Sequence, residues 1–332
     1  MDPLSQAVLG ATAAQTIGDK KNLAKATVIG ALAGMAADLD VLINSPSDSL
    51  LALEYHRHFS HSLIFIPLGA LICALLLYAL LGRYWQLRFK PTYLYCLLGY
   101  ATHGLLDACT SYGTQLLWPF SNYRVSWDII SIIDPLFTLP LLILIVLAAK
   151  RKQRAFVYCA VAWCAMYLSL GVLQHERAML VANDLISKRG HSANHIEVKP
   201  SFANLLVWKI IYQSDDHYYV AATRLGISSK VWPGESIRRL DRQRDLAWLD
   251  NASQQAKDIE RFRWFSAGFI ALDPNNPYQI IDMRYSMLPN KIAPLWGIRL
   301  NPNAAANEHV QFYAEPRKAS PRAAPLWQMI KE

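Results

Sequence analysis

Apolar residues dominate the first half of the chain, whereas polar and apolar residues alternate over short stretches in the second half. Residues 62–82 carry no charge, and a helix of that length can cross the roughly 30 Å hydrocarbon core of a bilayer. Two earlier helices, 3–18 and 26–43, are rich in Gly and Ala, which suits close packing between helices. Further apolar helices are predicted at 92–108, 129–149 and 155–174. The first half is therefore predicted to be an α-helical membrane domain of about four strong apolar helices plus two N-terminal helices.

The second half has the pattern of a small soluble α+β domain. Residues 175–190 are predicted to extend the last apolar helix, and the charged stretch 239–260 is predicted to be helical. Short aromatic and β-branched runs between turn residues predict an antiparallel sheet. These runs are 205–212, 217–225, 261–272, 278–288, 295–300 and 309–315. The predicted boundaries are 1–175 for the membrane-embedded domain that carries the metal site described below and 176–332 for the α+β domain.

The charge distribution agrees with this division and argues against a nucleic-acid partner. Residues 1–174 hold 21 of the 58 charged side chains, and the net charge of +8 is spread along the whole chain. The basic residues of the first half flank apolar segments, where they are typical of membrane topology and of contact with anionic lipid. No zinc-finger or RNA-binding signature occurs, so membrane lipid is expected as a partner and nucleic acid is not.

Lysine and arginine cluster in three loops that predict the orientation of the helices. The loops lie at 20–25, 83–90 and 150–154. If all three face the cytoplasm, as the positive-inside rule predicts, the helices alternate consistently across a bacterial inner membrane. The chain is then a multi-pass protein. The histidines and aspartates of the first half, together with the C-terminal domain, would face the periplasm of a Gram-negative cell.

Histidines and carboxylates beside the apolar helices predict a divalent metal site. Asp38 and Asp40 end one helix, three histidines lie within 56–61, and His103 and Asp107 share one helix face. Ionisable groups at membrane depth need partners or a function, and imidazole and carboxylate are typical zinc ligands. One or two ions are expected, with zinc favoured. The predicted ligands are Asp38, Asp40, His56, His61, His103 and Asp107.

Each part of this set also has a simpler interpretation. The two aspartates at the helix end would serve as helix caps or solvated loop carboxylates. The histidines of 56–61 would form an interfacial belt against lipid headgroups, and His103 with Asp107 a buried hydrogen bond. The metal interpretation is favoured because three separate segments carry the same two ligand types.

Neighbouring residues are candidates for catalysis or for support of the ligands. Arg57 would hold an anionic group of the substrate through a bidentate contact, and Asp40 would accept a proton. Thr110, with 112–115 behind it, would orient the substrate or a water molecule. Asp134 would cap or kink the following helix or add a carboxylate to the site. Gln6 would donate a hydrogen bond to a ligand.

Five motifs resemble the YdjM-type inner-membrane metal-dependent hydrolase family over about residues 1–175. They are MDPLSQAVLGA, GMAADLDVL, HRHFSHSL, HGLLDACTSYGTQLLWPF and DPLFTLPLL, in this order. The resemblance implies a metal site, with Asp134 behind it. The chain departs from the family at Ser5-Gln6, where many relatives have Thr-His. It also departs at His58, for which only an accessory role is predicted. The positions that the resemblance carries over are Asp38, Asp40, His56, Arg57, His61, Ser62, His103, Asp107, Thr110 and Gly113.

Two functions of different classes follow. The first is a membrane-bound metal-dependent hydrolase, in which metal-activated water attacks an ester or phosphoester, such as that of a lipid or lipid-linked substrate. The second is a non-catalytic membrane protein with a structural metal site that binds an envelope or regulatory protein. The resemblance supplies a regulatory example, since family members are described as associating with the SOS repressor LexA. A transporter is a third possibility, but the chain has no inverted repeat or pair of broken helices.

Overall fold

The computed structural model describes residues 1–314 and 319–332, which form two compact units. The first unit consists of 1–42, 55–173 and 202–204, and the second of 43–54, 174–201 and 205–332. The short segment 43–54 therefore belongs to the second unit, although the chain on both sides of it belongs to the first.

Ten α-helices occur among the described residues. They are α1 (Pro3–Thr16), α2 (Leu23–Met35), α3 (Leu51–Tyr55), α4 (Ile66–Leu77), α5 (Phe89–Ala108), α6 (Pro135–Arg151), α7 (Ala155–Lys188), α8 (Arg242–Asp245), α9 (Gln254–Phe265) and α10 (Ala319–Lys331). A 3₁₀ segment, Ala36–Leu42, continues α2, and two 3₁₀ turns, Phe59–His61 and Leu63–Phe65, precede α4. A π-helical turn, Tyr78–Gly82, follows α4 directly.

Glycines allow α1, α2 and α5 of the first unit to pack with their backbones in contact. A Cβ atom at Gly10 of α1 would lie 2.5 Å from the carbonyl oxygen of Gly30 of α2. A Cβ atom at Gly99 of α5 would lie equally close to the same oxygen. Small residues at these crossings were predicted for the first two helices, and they allow the three helices to pack closely.

Two of the described helical stretches are long and apolar enough to cross a membrane, namely Leu63–Gly82 and Ala155–Lys188. The prediction of four strong spans is therefore not confirmed. Helix α6 is shorter than predicted because Asp134 caps it through the amides of Leu136 and Phe137, so that it begins at Pro135. Its 17 residues extend only about 25 Å along the helix axis.

The second unit contains two antiparallel sheets of four strands each, where one sheet was predicted. The first has the order β1 (His195–Pro200), β2 (Val207–Ser214), β3 (His217–Leu225), β4 (Ser229–Arg238). The second has the order β5 (Ile270–Asp273), β6 (Asn276–Asp282), β7 (Trp296–Arg299), β8 (Gln311–Ala314). Each sheet is a meander in which consecutive strands pair.

Several predicted elements of this unit need correction. The run 261–272 is not one strand, because α9 continues to Phe265 and β5 begins only at Ile270. Ser253 caps α9, and its buried face includes Ile259 and Phe262, so helical burial prevails over the aromatic β-like pattern. Strands β1 and β4 and helix α10 were not predicted. Glu315, the last residue of the predicted run 309–315, lies outside the described residues.

Candidate metal centre

Three segments of the first unit bring the predicted ligands together. The 3₁₀ segment Ala36–Leu42 carries Asp38 and Asp40, the 3₁₀ turn Phe59–His61 carries His61, and the last two turns of α5 carry His103 and Asp107. The three segments meet because α2 packs against α5 and because the backbone at His61 lies directly on α5. A Cβ atom at Gly104 would stand 2.3 Å from the carbonyl oxygen of His61, so only glycine permits this approach.

Four side chains offer ligand atoms to one point; we call Asp38, His61, His103 and Asp107 the four-residue cluster. The Oδ1 atom of Asp38 lies 3.5 Å from His61 Nε2 and 3.2 Å from His103 Nε2. The Oδ2 atom of Asp107 lies 3.3 Å from His61 Nε2 and 3.7 Å from His103 Nε2. The side chains of His61, His103 and Asp107 are buried, whereas Asp38 is partly exposed.

The spacing of these atoms fits a single small metal ion. Ligand atoms at about 2.0–2.1 Å from a tetrahedral ion are about 3.3–3.4 Å apart, and the four separations scatter around that value. His61 Nε2, His103 Nε2 and Asp107 Oδ2 are buried and make no hydrogen bond within the described part of the chain. Buried polar atoms without hydrogen bonds are costly, and a cation at the point where these three atoms converge would relieve that cost, next to the Arg57 Nε atom 2.9 Å from Asp107 Oδ2.

The outer nitrogen of each cluster histidine is held by a group of the chain. His103 Nδ1 lies 2.6 Å from the carbonyl oxygen of Gly34, to which it can only donate. His61 Nδ1 lies 3.2 Å from Asp40 Oδ2 and 3.0 Å from Ser60 Oγ. These contacts leave each Nε2 atom free to bind an ion, as in the carboxylate–histidine–metal arrangements of many metalloproteins.

Asp40 therefore lies behind His61, outside the four-residue cluster. Its Oδ1 atom lies 2.9 Å from His56 Nδ1, and its Oδ2 atom accepts hydrogen bonds from the Arg57 amide and from Ser60 Oγ. Asp38, Asp40 and His56 form a second group of possible ligands that shares Asp38 with the first. The predicted ligands thus fall into two adjoining groups, each with enough residues to contact an ion.

Asp107 is also held by residues that were not predicted as ligands. Gln6 Nε2 donates to Asp107 Oδ1 over 2.8 Å, so the predicted hydrogen bond from Gln6 to a ligand is present. The α-amino nitrogen of Met1 contacts the same oxygen. Arg57 Nε lies 2.9 Å from Asp107 Oδ2, and Arg57 Nη1 donates to Thr110 Oγ1. Arg57 is thus directed at a ligand of the chain, and a contact of Arg57 with a substrate anion stays a prediction.

The carboxylates determine the protonation of the cluster. Burial alone would lower the pKa of the His61 imidazole, but the neighbouring Asp107, Asp38 and Asp40 carboxylates raise it to about 10. Burial acts against ionisation of Asp38 and Asp40 as well. The neighbouring imidazoles nevertheless hold the pKa of both carboxyls well below its usual range. The carboxylates therefore favour a bound proton or another cation beside His61, in addition to Arg57 and the Met1 amino group at Asp107.

Several predicted site residues lie elsewhere. His58 packs against Tyr55 and Trp118, with ring centroids 5.4 Å apart in each pair. Asp134 caps α6, and the Tyr167 hydroxyl, 2.8 Å from both of its carboxylate oxygens, donates to them, which favours its capping role. Tyr112 lies under the Arg57 guanidinium, 4.8 Å from its carbon to the ring centroid. Ser62 Oγ donates to the Phe59 carbonyl oxygen.

Sequence reasoning missed two groups that orient the histidines, Ser60 and the Gly34 carbonyl. Ser60 lies within the His-rich motif, and a hydroxyl next to a predicted ligand could have indicated a residue that orients that ligand. A backbone carbonyl leaves no signal in the side-chain pattern.

Access to the centre is from the side of Asp38 and His56, whose side chains are 26% and 29% exposed, whereas the other cluster side chains are fully enclosed.

These features define a helical domain with two stretches long and apolar enough to cross a membrane and a buried His/Asp centre that could hold a metal ion. The profile of the YdjM inner membrane protein family matches residues 1–178, more than half of the chain, and the chain belongs to this family. A relative in Bacillus subtilis (strain 168), the uncharacterized protein YfhP, is 25% identical over 237 residues, which is 68% of this chain and 69% of that protein. No solved structure matches the chain.

Proposed function

We propose that this protein is a membrane-bound metal-dependent hydrolase that cleaves an ester or phosphoester, with a lipid or lipid-linked molecule as substrate. The observation that carries the proposal is the convergence of three buried atoms without hydrogen bonds and the partly exposed Asp38 carboxylate on one point. Zinc is the ion that such a nitrogen and oxygen set suits best. A divalent ion bound there would polarise the scissile group and lower the pKa of a water molecule.

The chain's own residues have distinct parts in this proposal. Asp38, His61, His103 and Asp107 hold the ion, and the exposed edge formed by Asp38 and His56 admits the substrate. Asp40 contacts His56 and His61. His56 faces the open edge and accepts a proton there, while the Asp40 carboxylate orients its imidazole and stabilises the charge. Asp38 is common to both ligand groups, so a second ion would bind on the side of Asp40 and His56.

The proposed location is the bacterial inner membrane, with the centre facing the periplasm. Lys25 donates to the Trp85 carbonyl oxygen, and Arg154 donates to that of Thr16. The three basic loops thus lie at one end of α1, α2 and α5, while Gln6, Gly34 and His103 lie at the other. This separation supports basic loops in the cytoplasm. Alkaline phosphatase fused at the C-terminus should be active, as expected for the periplasm. If this fusion is inactive and a cytoplasmic fluorescent reporter fused at the same end fluoresces, the orientation is the reverse.

The test of the function uses the full-length protein in detergent. Metal content is measured by mass spectrometry, and hydrolysis is measured on phosphoester and carboxylic ester lipids before and after removal and return of zinc. We expect about one zinc ion or more per chain and hydrolysis of at least one lipid class that depends on it. Absence of any bound divalent metal would contradict the proposal as a whole.

A structural metal site is the second candidate, because four protein ligands are the number typical of structural zinc. Such a site would stabilise the first unit while the protein binds an envelope or regulatory partner. Bound zinc whose removal lowers the thermal stability, without hydrolysis of any tested lipid, would favour this candidate.

A further inference from the structure

A group of ion pairs in the second unit fixes segment 43–54; we call Asp48, Glu54, Asp258 and Arg261 the clamp. Arg261 of α9 donates through Nε to Glu54 Oε1 over 2.6 Å. Its Nη1 and Nη2 atoms donate to the two oxygens of Asp48 over 3.1 and 2.8 Å. Nη1 also donates to the buried Asp258 over 2.8 Å. One guanidinium thus binds two carboxylates of the segment while a third carboxylate, on its own helix, holds it in place.

Hydrogen bonds to the end of the second sheet hold the same segment. Ser49 Oγ donates to the Val310 carbonyl oxygen over 2.8 Å and accepts from the Phe312 amide over 2.9 Å. Leu50 is buried, and its amide donates to Asp48 Oδ1. The segment is therefore fixed by charges, backbone contacts and an apolar side chain together, which is more than a surface loop requires.

The position of this segment in the chain gives the clamp its significance. Asp38 and Asp40 precede Ile43 by a few residues, and His56 and His61 follow Glu54 by a few residues. The clamped segment is the stretch of chain that joins these two pairs of residues. A mobile connection would leave the ligand pairs more conformations to lose when an ion binds, and a fixed connection removes that cost in advance.

We propose that Arg261 is a positioning residue of the metal centre, which holds segment 43–54 so that the ligands on both sides of it are preorganised for a divalent ion. The inference rests on the proposed function only in requiring that the centre binds metal. The C-terminal unit then contributes to metal affinity without supplying a ligand.

The first experiment compares Arg261→Ala with Arg263→Ala in the full-length protein. Arg263 lies two residues further along α9 and pairs with Glu260 of the same helix, so its removal deletes an equal charge. Zinc affinity is measured by competition with a chromophoric chelator, and cleavage within 43–54 by limited proteolysis and mass spectrometry. If the clamped state falls to a tenth of the population, the dissociation constant rises about tenfold in Arg261→Ala. Cleavage should also be faster, and Arg263→Ala should resemble the wild type.

A second variant guards against misfolding of the C-terminal unit. The double substitution Asp48→Asn with Glu54→Gln weakens the clamp from the segment side and leaves the Arg261–Asp258 pair in place. It should show the same weaker zinc binding and faster cleavage. Unchanged zinc affinity in both clamp variants, whether or not cleavage is faster, would overturn the proposal. A wild-type protein that binds no zinc would instead show that the proposed function itself is wrong.

Discussion

Two fully buried aspartates, one in each unit, differ in how completely the chain satisfies their oxygens. Asp282 of β6 is held by Arg284, whose Nε donates to Oδ1 over 3.0 Å and whose Nη2 donates to Oδ2 over 2.8 Å. Trp296 Nε1 adds a third donor. Asp107 of α5 has donors on Oδ1 and has Arg57 Nε 2.9 Å from Oδ2. This Oδ2 atom nevertheless makes no hydrogen bond among the described residues, and it lies close to His61 Nε2 and His103 Nε2, which make none either.

The difference distinguishes a carboxylate that stabilises the fold from one that is available to bind a ligand. A buried charge is tolerated when the chain supplies its counter-charge and its hydrogen bonds, as Arg284 does for Asp282. Around Asp107 the chain leaves several polar atoms unsatisfied at metal-ligand distances, although Arg57 stands nearby. Removal of Arg284 should therefore affect folding alone, and changes around Asp107 should affect metal binding first.

The largest effect is expected from Arg284→Met. This change leaves Asp282 buried without its partner and should lower the free energy of unfolding of the second unit by about 3–5 kcal/mol. Hydrogen exchange of the β6 and β7 amides measures this loss, and zinc affinity of the folded protein should stay constant. The exposed Arg299 of the same sheet is the control, and Arg299→Met should be close to neutral. A loss below about 1 kcal/mol for Arg284→Met would show that Asp282 tolerates burial without that partner.

The replacement His103→Ala should weaken zinc binding by at least about a hundredfold, because it removes one of four ligands and the anchor to the Gly34 carbonyl. Chelator competition and mass spectrometry measure the change. The matched control is His58→Ala, which removes a histidine of the neighbouring motif that packs on Tyr55 and Trp118. Equal metal content in both variants and the wild type would refute the four-residue cluster as the binding site.

Removal of the support for Asp107 should have a smaller effect. Gln6→Leu deletes the hydrogen bond to Asp107 Oδ1 and should weaken zinc binding by about tenfold or somewhat more, since groups that orient a ligand contribute in this range. Gln15→Leu is the control, since Gln15 is a buried glutamine of the same helix that donates to Thr27 and to the Ile145 carbonyl oxygen. If both glutamine variants weaken zinc binding equally, the effect belongs to the packing of α1.

The ligand types of the centre could be predicted from the sequence, but its geometry could not. A His/Asp set in apolar sequence is a strong signal because burial of charge is costly, and Asp38, His61, His103 and Asp107 do converge. Asp40, also predicted as a ligand, lies next to His61 Nδ1 and belongs to the second group of possible ligands, with Asp38 and His56. Which ion an aspartate of this segment can reach depends on the turn of the 3₁₀ helix Ala36–Leu42, and spacing in sequence does not fix that turn.

The fold was predicted best where one physical factor dominates. The apolar stretches Leu63–Gly82 and Ala155–Lys188 follow directly from hydropathy, and β3 matches the predicted run 217–225. Helix α9 was missed in part because its aromatic residues are typical of strands, although tertiary burial keeps them helical. The assignment of 43–54 to the second unit depends on pairs such as Arg261 with Asp48, more than 200 residues apart, which no local pattern reveals.

The pH dependence of zinc binding gives the finest distinction between the two environments. The carboxylates around His61 raise the pKa of its imidazole to about 10, so the metal-free centre holds a proton at neutral pH. A metal ligand must be the neutral imidazole, and zinc must therefore expel that proton. Below pH 10 a rise in pH weakens the competition, so affinity should increase about tenfold per pH unit between 7 and 9. Calorimetry in two buffers with different enthalpies of ionisation should count about one proton released at pH 7.5. Affinity that stays constant over this range would mean that the centre is already deprotonated, and that Asp107, like Asp282, is neutralised by the chain itself.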